Sequence, residues 1–111
     1  MANEARLIEF LRAFQARKGM YMQAVTIDTV ESFLTGFIVA CHAFGVHIDY
    51  GGTRESLEKR GLESGGAFSP IMRMKSQGWS DERIIEESIE IVIETIEAIQ
   101  ANSRPIPPEI G

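Results

Sequence analysis

His42, His47 and Asp49 are the residues of this chain that come nearest to a metal-ligand set. Imidazole and carboxylate are common zinc ligands, and three protein ligands are the minimum that leave a catalytic zinc an open position. Gly45 interrupts the stretch, so no helical or strand period fixes the three together. His47 and Asp49 fall on one face of an extended segment, whereas His42 reads equally well as a hydrogen-bonded residue at a helix end. Neither HExxH nor a paired CxxC occurs.

The next stretch, Gly51-Gly52-Thr53-Arg54, is a candidate anion seat. Free backbone N–H groups at a helix start and a nearby guanidinium suit a phosphate or carboxylate. Two glycines before a capped helix are also simply a turn. A G-x-x-x-x-G-K-[ST] loop is missing, and no serine, cysteine or histidine sits in a recognisable nucleophile motif. The single cysteine, Cys41, lies among Val39, Ala40, Ala43 and Phe44, which marks a small buried hydrophobe rather than a reactive thiol. No cofactor is implied.

The largest acidic group is Glu82, Glu86, Glu87, Glu90, Glu94 and Glu97. Carboxylates bind magnesium when facing helices point them inward together. Here they alternate with Ile85, Ile89, Val92, Ile96 and Ile99, which recur every three to four residues. That pattern is an amphipathic helix from Ser80 to Gln100 with a wet carboxylate face. Glu86, Glu90 and Glu94 are then the natural docking residues for a basic partner.

Charge supports that assignment. The 111 residues carry a net charge of −5. Residues 1–75 hold nine Lys and Arg against eight Asp and Glu, and residues 76–111 hold two against eight. A phosphate backbone would be repelled by the second part, which argues against a nucleic-acid ligand. The longest nearly uncharged run, Ser32 to His47, is shorter than the roughly 20 apolar residues a membrane span needs. The first residues lack a secretory h-region, and the expected location is the cytoplasm.

The elements that must position these groups all read as helices. With 44% hydrophobic residues the chain has material for one core, so residues 1–103 are expected to be a single domain, followed by a Pro-rich extended tail over 104–111. The first helix should run from Glu4 to Arg17, capped by Asn3 and stopped at Gly19, with Met20 to Met22 folded over the core. The second should start at an Asp28/Glu31 capping box and end at Gly45. Its apolar residues go almost all the way round, which makes it the expected centre of the fold. Ser32, Gly36 and Ala40 form a strip on it that invites a neighbouring helix.

From Val46 to Phe68 the pattern loosens into an extended piece, the Gly51-Gly52 turn, a short helix capped by Thr53 and a second flexible point at Gly65-Gly66. Ser69-Pro70 opens a short helix through Gln77, which Gly78 ends. Ser80 caps the long helix, with Trp79 and Ile84 at the spacing of a hydrophobic staple. The expected fold class is therefore an all-α, four- to five-helix bundle with a loose Gly-rich middle and a long C-terminal amphipathic helix. The apolar arc of that last helix is too wide for one neighbour, so two flanking helices, or one helix and a second copy of the chain, are required. A homodimer is expected.

The segments Arg17-Lys18-Gly19-Met20-Tyr21 and Phe33-Leu34-Thr35-Gly36-Phe37 resemble a group of small uncharacterised bacterial all-helical proteins that carry Arg-Pro-x-Met-Tyr followed by Phe-Leu-x-Gly-aromatic. The chain departs from that pattern at Lys18, where the group has proline. Some members are similar to immunity-type proteins that neutralise toxins. The resemblance implies a bacterial binding protein and no catalytic residue. The reading that results is a non-catalytic protein-interaction domain, working through the acidic face of the last helix and the Val46 to Gly66 segment. The alternative is a small helical enzyme or an anion- or metal-binding protein using His42, His47, Asp49 or Arg54.

Overall fold

A computed structural model describes residues 3–63 and 69–102, and the tail and the Gly65-Gly66 point lie outside the described residues. The described residues form five α-helices and no strand: α1 (Asn3–Ala16), α2 (Ile27–Ala43), α3 (Arg54–Glu58), α4 (Pro70–Ser76) and α5 (Asp81–Asn102), with a 3-10 turn at Lys18–Met20. The all-α bundle expected from the sequence is what is found.

The centre of the fold is α5, not α2. The four other helices all pack on α5. Nine of its side chains are buried; Ser88 and Thr95 bond back to carbonyls of the helix itself, and the seven apolar ones divide between two cores. Ile85, Ile89, Val92, Ile93 and Ile96 join Leu11 and Phe14 of α1 and Val30, Leu34, Ile38 and Cys41 of α2. Ile84 and Ile91 join Leu57, Leu62, Ile71 and Met74 of the α3 and α4 region. The wide isoleucine arc is thus covered within one chain, each fully buried isoleucine contributing about 1.5–3 kcal/mol. Arg12 and Gln15 meet Glu90 while Lys18 meets Glu86, so α1 runs antiparallel to α5.

The helix boundaries follow from local chemistry. Ser80 Oγ accepts the Arg83 N–H, Trp79 packs on the core that holds Ile84, and the Arg83 guanidinium lies 3.7 Å over the Trp79 ring. Ser69 caps α4 through the Met72 N–H, with Pro70 opening the helix. The expected Asp28/Glu31 box at the start of α2 is displaced by two residues. Thr26 and Thr29 cap it reciprocally instead, and the Thr29 hydroxyl also donates to the Ala24 carbonyl at 2.7 Å. Gly45 ends α2 at φ +88°, with its N–H on the His42 carbonyl and the Val46 N–H on the Cys41 carbonyl. This Schellman arrangement needs a residue that tolerates positive φ.

Two other expectations change. The connector is only partly folded inward: Met22 packs against the first core, but Met20 is 73% exposed. The Ser32, Gly36 and Ala40 strip of α2 meets no helix. All three are exposed, and a Cβ built on Gly36 would have nothing within 4 Å.

Between α1 and α2 the contact is aromatic. Phe14 and Phe33 stack with centroids 4.1 Å apart, Phe10 stacks on Phe37 at 5.8 Å, and Tyr21 meets Phe33 edge-on at 6.0 Å. The two motif segments of the sequence, around Tyr21 and Phe33, therefore meet in one aromatic cluster with α1.

Candidate functional site

Three groupings could carry function, and each is best judged from what its side chains already do. The first is the acidic row of α5. Arg60, its side chain only 7% exposed, reaches across from the end of α3 and meets the row. Its Nη1 and Nη2 donate to the two Glu94 oxygens at 2.8 Å each, its Nε donates to Glu87 at 2.6 Å, and Nη1 also reaches the Ser56 carbonyl. The Ser56 hydroxyl donates to Glu94 at 2.6 Å, and Lys59 pairs with the same carboxylate.

These bonds fix the charges. The Arg60 guanidinium holds Glu94 down at about 2, against the opposing effect of burial. Arg60 is in turn held in its protonated form by Glu94. Burial pushes Glu90 up, but the Gln15 amide and the Arg12 guanidinium outweigh it, and the carboxyl ends below its ordinary value. Lys18 pairs with Glu86.

Glu86, Glu90 and Glu94, expected from the sequence as free docking carboxylates, are therefore each bound to a cation or amide of the same chain. The cleft they line with Gln15, Lys59, Arg60 and Glu87 is a braced seam between α1, α3 and α5. What the sequence could not show is which cations cross to them. The signal was the near-neutral balance of residues 1–75 beside the strongly acidic remainder. Asp81, Glu82 and Glu97 remain exposed on α5.

The second grouping is His42, His47, Asp49 and the glycine turn. The structure does not assemble a metal set from the first three. His42 Nε2 lies 2.9 Å from the Ile48 carbonyl and 3.1 Å from the Ile48 N–H, so the ring anchors its own loop. Asp49 Oδ1 accepts the Gly51 N–H at 2.8 Å in a local turn. The His47 ring lies 5.2 Å from that of His42. Among the described residues no three His, Cys, Asp or Glu side chains are placed to hold a metal.

Gly51-Gly52-Thr53-Arg54 likewise has local work. Thr53 Oγ1 accepts the Ser56 N–H to cap α3, and Arg54 pairs with Glu58 one turn on. Gly52 has φ +78°, and a Cβ there would sit 2.6 Å from Ile91 Cγ2. Its lack of a side chain lets the turn lie directly on α5. Anion binding is not needed to account for either glycine.

The third grouping has no motif of its own in the sequence, where a nearly all-apolar α2 reads as a surrounded helix. The structure covers it on one side only. Val39 is 53% exposed and Phe44 86% exposed, on a strip with Ser32, Gly36, Ala40 and Ala43 that carries no formal charge. Beside it opens a groove of about 430 Å³ between the start of α1 and the end of α2, lined by Asn3, Arg6, Leu7, Phe37, Ala40, Cys41, Phe44 and Val46. Burial raises the Cys41 thiol above its ordinary value, so it lines the groove as an apolar group. A smaller cavity of about 110 Å³ lies between α2, α4 and α5 beneath Tyr50, below the range of common ligand pockets.

Among the described residues no helix is long and apolar enough to cross a membrane. Comparison with protein-family models, with curated proteins and with solved structures finds no match.

Proposed function

We propose that this chain is a non-catalytic protein-interaction domain, in which α5 is the scaffold and α2 the working face. The observation that carries the reading is the exposed, uncharged strip of α2, with Phe44 86% and Val39 53% exposed beside an apolar groove. Large apolar side chains grouped on one face mark a surface that another protein covers. The polar groupings that would have supported chemistry are instead engaged within the chain: His42 with Ile48, Asp49 with Gly51, and Arg60 with Glu87 and Glu94.

The partner has two candidate forms. A second copy of the chain, giving a homodimer, is favoured by the neutral face. A basic protein is favoured by the exposed carboxylates Asp81, Glu82 and Glu97, which supply long-range attraction rather than contact energy. A toxin domain, in keeping with the resemblance to immunity-type proteins, is a partner of that second kind.

Photo-cross-linking in cell extract from a photoreactive residue placed at the exposed Val39 of the whole chain tests the reading, run beside a melting assay against metals, nucleotides and phosphates. Protein adducts mapping to α2, with no shift in melting, are the expected result. A metabolite or metal that raises the melting temperature, with no protein adduct formed, would overturn it.

A further inference from the structure

We draw no further inference here: the strongest candidate, the apolar groove between the start of α1 and the end of α2 beside the exposed Phe44, carries nothing because nothing in the structure shows what covers it.

Discussion

Arg60 and Glu94 are joined by two parallel hydrogen bonds, each nitrogen of the guanidinium fork donating to one carboxylate oxygen at 2.8 Å. A bidentate pair of this kind specifies orientation as well as charge. It fixes the short α3 to α5, and the Ser56 hydroxyl on the same carboxylate completes the joint.

Removing one partner leaves the other poorly matched. Glu94→Gln should lower unfolding stability by about 2 kcal/mol, less than the loss of a fully buried pair because the carboxylate keeps some contact with water. Urea unfolding at pH 7 measures it. Glu94→Asp, which keeps the charge but shortens the reach, should fall between the two.

The same pair predicts an acid limb. Glu94 lies near 2 in the folded chain against an ordinary value of 4.5, so its contribution is fully present above about pH 4.5 and is lost as pH falls toward 2. Glu90, also lowered, adds to the slope in the same direction. Stability measured from pH 6 to 2 should decline more steeply in the native chain than in Glu94→Gln. Parallel curves would show that this carboxylate does not drive the decline.

Two glycines should respond in opposite ways to alanine. At Gly52 the new Cβ meets Ile91 at 2.6 Å and the backbone stands at φ +78°, so Gly52→Ala should cost about 2–4 kcal/mol. At Gly36 the space is open and the conformation helical, so Gly36→Ala should stabilise the monomer by up to about 1 kcal/mol. Thermal melts of both variants at low concentration make the comparison.

His42 should act through the loop it anchors. His42→Ala removes the ring nitrogen that lies within bonding distance of both backbone groups of Ile48 and pairs with one of them according to its tautomer, and should cost about 1–2 kcal/mol. Native-state hydrogen exchange at the Ile48 amide should accelerate more than exchange in α5. Equal acceleration everywhere would mean only a global loss of stability.

The sequence showed the helices more clearly than their arrangement. Ser80 with Trp79 and Ile84, and Ser69 with Pro70, marked the starts of α5 and α4 because caps and staples are local chemistry. The start of α2 was misplaced because Thr26/Thr29 and Asp28/Glu31 both satisfy a three-residue capping interval, and only the backbone geometry chooses. The centre was misjudged for another reason. Absence of charge on α2 looked like burial, but Ser32, Gly36 and Ala40 are small enough to stand in water without large cost. The pairing of Arg60 with Glu94 joins residues 34 apart and leaves no periodic trace. The local duties of His42 and Gly52 were partly legible, as a helix-end bond and a turn, whereas the clash at Ile91 was not.

One consequence follows from the place of α5 in the bundle. The helix on which the other four rest is the last of the five to leave the ribosome, so Leu11, Phe14, Val30 and Leu34 wait for Ile89 and Ile93 before their core can close. Until then the aromatic contact of Phe14 with Phe33 joins only the first two helices, and the emerging chain gains its cooperative fold after α5 has followed them out.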